Sequence, residues 1–232
     1  MKLSAEIFVA LERSNRDLWV SETAGKIRGS FSDYFDVLNV STLDLEQICS
    51  DVEIWASSYQ VTGGRDVAKL CVVAVSLGHH FWKDPRFATY ISESVQNQNV
   101  ERTRCSRLLM KATDDWLSLL WHDDSVLHFA ERLEELMKQS CDDSDRNIRY
   151  LVPNHWSMFT EDYNSQYLTW LRSRLPETKS ALKRTILTAG ALIFGANWWN
   201  DPQYTKLMHY LMAEPISDQQ LTKLIAKLRE IN

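Results

Sequence analysis

Gly78–Phe87 reads GHHFWKDPRF, and 117 positions later Gly195–Tyr204 reads GANWWNDPQY. The two stretches share Gly, Trp, Asp and Pro at matched places, and two further places keep an aromatic residue. A match of this kind within one chain indicates an internal repeat, which decides how the chain is built. The sequence therefore predicts two pseudo-equivalent halves that arose by internal duplication.

Each repeated stretch contains an Asp-Pro pair. An aspartate side chain accepts hydrogen bonds from the free backbone N–H groups at a helix start, and proline is tolerated at the first helical position. We therefore expect Asp84 and Asp201 to be structural caps, with Pro85 and Pro202 directly after them. Alanine at either aspartate should cost about 0.5–2 kcal/mol. The glycine of each stretch falls within the predicted preceding helix, which suggests that another backbone passes close by.

Apolar residues elsewhere recur at spacings of three and four, which places them on one face of a helix. Leu45, Ile48 and Val52 form one such stripe. The pattern predicts an all-α protein, a multi-helix bundle of about ten helices. The predicted helices cover residues 4–20, 31–38, 42–58, 65–82, 85–97, 100–121, 124–140, 155–174, 178–199, 202–213 and 217–231.

A short acidic segment, Ser140–Asp145, separates the two repeated stretches. It predicts an N-terminal helical half over residues 1–140 and a C-terminal helical half over residues 146–232. A chain of 232 residues can pack both halves as one globular unit.

The composition limits the classes of partner. A net charge of −5 lacks the basic excess of a general nucleic-acid binder, which argues against a nucleic-acid partner. The longest apolar runs, Leu70–Leu77 and Ile186–Trp199, are shorter than the ~18–20 residues of a membrane span. The charged N-terminus predicts no signal peptide, and four cysteines without a C-x-x-C motif are typical of reduced thiols. These features predict a cytoplasmic protein with no membrane partner.

The functional prediction is a non-catalytic protein that binds another protein. The chain has no phosphate-binding glycine loop and no nucleophile motif, and no cofactor is predicted. An adaptor, a secretion accessory and a toxin-immunity protein all fit this class. Tryptophan, tyrosine and arginine are enriched among the residues that dominate interfaces. The predicted partner-binding residues are Trp82, Arg86, Trp198, Trp199 and Tyr204.

Four residues, His79, His80, His122 and Asp123, support an alternative prediction. A histidine on one helix followed by a His-Asp pair on another resembles the pattern of the HD-type metal phosphohydrolases, which are also all-α. The resemblance implies a metal-dependent phosphohydrolase that uses His80, His122 and Asp123, with an aspartate of the acidic segment completing the site. Against this alternative, the second repeated stretch has alanine and asparagine where the first has two histidines.

Overall fold

The computed structural model describes residues 5–120, 126–138 and 145–231, and within these ranges the chain is all-helical. This confirms the all-α class. The α-helices are α1 (Ala5–Ser30), α2 (Ser32–Leu38), α3 (Thr42–Ser58), α4 (Gly64–Leu77), α5 (Ala88–Glu93), α6 (Arg102–Leu120), α7 (Val126–Met137), α8 (Asp145–Leu151), α9 (Pro153–Ser157), α10 (Glu161–Arg172), α11 (Ala181–Phe194), α12 (Thr205–Leu211) and α13 (Asp218–Glu230). None of the helices in the described ranges has the length and apolarity required to cross a lipid bilayer.

The repeated stretches form two corners of the same construction, which we call the first corner (Gly78–Phe87) and the second corner (Gly195–Tyr204). Helices α4 and α11 each have 14 residues and lead into a corner. Each corner contains two short 3-10 helices, and a short α-helix follows. The bounds of α4 recur in α11 117 positions later, and the bounds of the two 3-10 helices recur at the same distance. The local construction is therefore the same at both places.

The two glycines end the preceding helices. Gly78 has φ 92° and ψ 147°, and Gly195 has φ 102° and ψ 150°. Glycine adopts such positive φ values without steric cost, because it has no Cβ. The helices predicted over 65–82 and 178–199 therefore stop at the glycines, and the prediction that these glycines lie inside helices was wrong.

The corners meet at these same glycines. A Cβ on Gly78 would lie 2.3 Å from the carbonyl oxygen of Phe194 and 3.0 Å from Cα of Gly195. A Cβ on Gly195 would lie 2.5 Å from the carbonyl oxygen of Leu77. The sequence suggested that another backbone passes close to each glycine, and in each case that backbone belongs to the other corner.

Helices distant in sequence cover the corners and place them in the core. Helix α3 packs against Pro202–Tyr204 of the second corner. On the first corner, the Tyr167 hydroxyl of α10 donates a hydrogen bond of 3.3 Å to Asp84 Oδ2. Phe81 and Trp198, one from each corner, are 2% and 1% exposed. The corners are therefore central to the packing.

Other predicted helices differ from the structure in their bounds. Helix α1 continues to Ser30, ten residues beyond the predicted end at 20. The helix predicted over 155–174 is divided into α9 and α10, because the Thr160 side chain accepts a hydrogen bond from the Tyr163 N–H and starts a new helix. Asp145, assigned to the acidic linker, begins α8. Residues 140–144 of that linker lie outside the described ranges.

Candidate metal centre

The first corner and α3 bring three potential metal ligands together. His79 Nε2 lies 3.0 Å from Oδ2 of Asp51, and His80 Nε2 lies 3.7 Å from the same oxygen. The three ligand atoms all lie within 4.8 Å of one another. Two of these residues were candidates from the sequence, whereas Asp51 was not.

The backbone of the first corner places both histidines on one side. Consecutive residues point about 100° apart in a helix and to opposite faces in a strand. His80, however, has φ 63° and ψ 26°, the left-handed conformation. The two imidazole rings consequently stack with centroids 3.8 Å apart and an angle of 20° between their planes. A left-handed residue other than glycine costs about 1–2 kcal/mol, so the rest of the fold stabilises this geometry.

Burial keeps both imidazoles neutral. The side chain of His79 is 4% exposed, and burial lowers its pKa although the Asp51 carboxylate acts in the opposite direction. Burial lowers the pKa of His80 to about 4, with smaller contributions in the same direction from the neighbouring His79 and from Lys83. The contacts with Asp51 are therefore not ion pairs at neutral pH. Neutral imidazole is the form of histidine that binds metal ions.

The His79 ring lacks hydrogen-bond partners. Among the described residues, neither Nδ1 nor Nε2 of this buried ring has a partner in hydrogen-bond geometry. Nε2 lies within hydrogen-bond distance of Asp51, and this contact opposes the lowering of the pKa of His79 by burial, but the contact is poorly aligned for a hydrogen bond. Buried polar side-chain atoms are nearly always paired with protein, water or an ion. A bound ion would satisfy Nε2.

The second corner holds the backbone of this cluster. The His79 N–H donates a hydrogen bond of 2.6 Å to Asp201 Oδ2, while the Gln203 N–H donates one of 3.0 Å to Asp201 Oδ1. Burial raises the pKa of Asp201 to about 6 although these hydrogen bonds lower it. Asp201 thus caps the second corner and also fixes the position of His79.

The equivalent aspartate of the first corner belongs to a separate, buried network. The Arg86 N–H donates a hydrogen bond of 3.0 Å to Asp84, and the Arg86 guanidinium lies 2.6 Å from the same carboxylate. The guanidinium also donates hydrogen bonds to the carbonyl oxygens of Ala191 and Leu192 at the end of α11. Burial acts to lower the pKa of Arg86, but Asp84 and Tyr167 raise it above its ordinary value. Arg86 is therefore fully engaged inside the protein.

Most of the predicted partner-binding residues lie in the interior. Four of the five are buried, namely Arg86, Trp198, Trp199 and Tyr204. Trp82 is half-buried and stacks on Trp55 with ring centroids 4.9 Å apart. Binding of a partner protein stays a prediction, without an assigned surface.

Two residues of the predicted metal site, His122 and Asp123, lie outside the described residues. The structure places the other two, His79 and His80, beside Asp51. Comparisons with protein-family models, with curated proteins and with solved structures return no match to this chain. The function is therefore inferred from the geometry of Asp51, His79 and His80.

Proposed function

We propose that this protein binds a divalent transition-metal ion through Asp51, His79 and His80. The observation that supports the proposal is the buried His79 imidazole, which has no aligned hydrogen-bond partner and points Nε2 at a carboxylate oxygen 3.0 Å away. Ligands about 2.0–2.2 Å from one ion lie roughly 3.0–3.5 Å apart in octahedral or tetrahedral geometry. The separations of the two histidine Nε2 atoms from Asp51 Oδ2, 3.0 and 3.7 Å, are close to that range. Since an ion lies in the plane of an imidazole that binds it, one ring would turn out of the stack on binding.

The ligand set favours a particular group of ions. Imidazole suits zinc, iron, copper and nickel, and two histidines with one carboxylate form a common open site. Sites with three protein ligands leave at least one position for water or substrate, whereas structural zinc sites are closed by four. The side chains of His80 and Asp51 are 23% and 26% exposed, so the site can be reached from solvent. A bound ion could therefore activate water for hydrolysis, which is the chemistry of the alternative sequence prediction with a revised ligand set.

Calorimetric titration of EDTA-treated protein with Zn²⁺ tests the proposal. We expect one ion per chain. His80→Ala should weaken binding by at least about a hundredfold, because even the loss of an outer-shell partner costs 10–100-fold. His209→Ala is the matched control, since His209 is exposed and lies on α12. It should bind Zn²⁺ as the wild type does.

Thermal melting gives a second readout. A ligand at 100 times its Kd stabilises the folded state by about 2.7 kcal/mol. For a chain of this size, each kcal/mol shifts the Tm by about 2–4 °C, so saturating Zn²⁺ should raise the Tm by about 5–10 °C. The absence of a Zn²⁺-dependent shift, or equal shifts in the wild type and His80→Ala, would show that the cluster is only a packing contact.

We also infer that the corners descend from one duplicated unit. The support is the shared 14-residue helix, the shared glycine conformation and the shared aspartate cap with proline after it. Superposition of residues 65–97 on residues 182–214 in experimental coordinates tests this inference. Chain paths that diverge after the corners would contradict it.

A further inference from the structure

A cavity of about 460 Å³ lies beside the contact between the two corners. Its walls come from several helices, including Leu77 of α4, Trp116 and Leu117 of α6, and Leu192 and Ile193 of α11. Asp51, His79 and His80 do not line it. The cavity is therefore independent of the proposed metal centre.

The cavity is partly open to solvent, so a ligand can enter it, and its volume lies in the range of small-molecule sites, about 300–1,000 Å³. Most of the lining residues are apolar, so water in the cavity finds few polar partners and an apolar ligand can displace it favourably. We infer that this cavity is a binding site for a small, uncharged and mainly apolar molecule.

The charge balance of the walls indicates an uncharged ligand. Among the described lining residues, Arg86 is the only lysine, arginine, aspartate or glutamate. Its guanidinium is paired with Asp84 and with carbonyl oxygens of α11. His155, the histidine of the described lining, also has an interaction within the protein, so the walls offer no unpaired lysine or arginine to a carboxylate or phosphate group. A charged ligand would lose its hydration without gaining a partner.

One polar feature of the walls can orient the ligand. The Tyr34 and Tyr204 hydroxyls lie 3.2 Å apart, and both residues line the cavity. Burial raises the pKa of Tyr34 to about 12 and that of Tyr204 well above its ordinary value, so both hydroxyls keep their protons. Within such a pair, one O–H donates to the other oxygen, and the second O–H can donate elsewhere. A ligand with one hydrogen-bond acceptor on an apolar body matches this arrangement.

Two fluorescent probes with the same ring system test the inference in the full-length protein. N-phenyl-1-naphthylamine is uncharged, and 8-anilinonaphthalene-1-sulfonate adds a sulfonate. We expect the uncharged probe to bind at one site and the anionic probe to bind at least about tenfold more weakly, because the sulfonate would be buried unpaired.

Cavity-filling variants locate the site. Leu117→Trp and Ile193→Trp enter the cavity from different helices, and both positions are partly exposed, so the larger ring has room. Each should weaken binding of the uncharged probe by at least about tenfold. Leu43→Trp is the matched control, because Leu43 is 73% exposed and does not line the cavity. Circular dichroism and melting curves check that each variant is folded.

Methyl NMR of the wild type locates the probe without any substitution. The uncharged probe should shift the methyl signals of Leu117 and Ile193 and leave those of Leu43 unchanged. Absence of binding, shifts confined to other methyls, undiminished binding in both filled variants, or equal affinity for the two probes would each overturn the inference. Metal titration does not enter this test, so the two proposals succeed or fail separately.

Discussion

Gly78→Ala perturbs the point at which the two corners touch. The new Cβ would lie 2.3 Å from a backbone carbonyl oxygen of the neighbouring helix, which no side-chain movement can relieve. The residue would also hold φ near 92°, a conformation that L-residues rarely adopt. Backbone strain of this kind costs about 1–3 kcal/mol, and overpacking adds about 1–3 kcal/mol. The expected loss of unfolding free energy is therefore about 2–6 kcal/mol.

Urea unfolding followed by circular dichroism measures this loss, and Gly25→Ala is the matched control. Gly25 lies in α1, and a Cβ built on it meets nothing within 4 Å apart from its own helix backbone and chain neighbours, so alanine there should stabilise the helix by up to about 1 kcal/mol. The two glycine substitutions are thus expected to change stability in opposite directions. Gly195→Ala should resemble Gly78→Ala.

The double variant Gly78→Ala/Gly195→Ala separates the two sources of the loss. Each alanine adds backbone strain at its own position. The steric clash is shared, because moving the two corners apart once makes room for both new Cβ atoms. The combined loss should therefore be smaller than the sum of the single losses, as for residues in direct contact. If Gly78→Ala proved no less stable than Gly25→Ala, or if the losses added fully, the glycine contact would not hold the corners together.

Three further perturbations give distinct outcomes. Asp84→Ala should cost about 3–5 kcal/mol, beyond the value for a simple cap, because it leaves a buried guanidinium unpaired. Asp201→Ala should cost less, since burial already disfavours its charge, and equal losses in urea titrations would contradict this ranking. Gly190→Ala would place a Cβ 2.4 Å from the Trp198 ring, so we expect a loss of about 1–3 kcal/mol despite the better helix propensity. Adding Trp198→Phe should restore part of that loss, and unfolding curves without any recovery would rule out the steric cause. Tyr34 has its pKa raised to about 12, so the folded state holds its proton between pH 10 and 12 while the unfolded state releases it. Tyr34 alone should lower stability over that window by up to about 1.4 kcal/mol per pH unit. The buried Tyr167 and Tyr204 add to the decline, so Tyr34→Phe should reduce its slope in unfolding curves.

The helical class was predictable because apolar spacing alone determines it. Leu45, Ile48 and Val52, chosen from spacing, are all buried on α3. The helix ends near the corners were not predictable, because glycine inside an apolar run fits both a helix interior and a helix end. The contact between the corners decides that choice, and it joins residues more than a hundred positions apart.

The sequence indicated the two histidines of the candidate site but not Asp51, again because a contact between distant residues forms the site. His79 and His80 attract attention as adjacent histidines, but spacing predicts that their side chains diverge. The left-handed conformation of His80 brings the rings together, and no local pattern indicates it. Asp51 lies 28 positions before His79, next to the buried Val52, and resembles any polar residue at the edge of a buried stripe.

The second corner has the same helical construction as the first but lacks the potential metal ligands. Ala196 and Asn197 stand where the first corner has the two histidines, and the buried Leu168 stands 117 positions after Asp51. His80 has the left-handed conformation, whereas Asn197 at the same place in the second corner has φ −128° and does not. Both histidines and the left-handed backbone are thus present together in the first corner and absent together from the second, and no carboxylate stands 117 positions after Asp51. Asn39 and Gln60 also have positive φ. Between the two corners, however, this conformation occurs only in the one with the histidines, which favours a functional cause there over a requirement of the shared corner.

The double variant His79→Ala/His80→Asn tests that conclusion by giving the first corner the residues of the second. Asparagine tolerates the left-handed conformation better than most residues, and alanine already fits the equivalent buried position. If the histidines serve metal binding, the metal-free variant should lose less than about 2 kcal/mol in urea unfolding, within the range of ordinary substitutions, and should lose Zn²⁺ binding completely. If they serve packing, the variant should be destabilised by more than that, and adding Zn²⁺ to the wild type should not change its stability. A role in metal binding therefore predicts a loss of Zn²⁺ affinity, and a role in packing predicts a loss of unfolding free energy. A stable variant that still binds Zn²⁺ would exclude both roles.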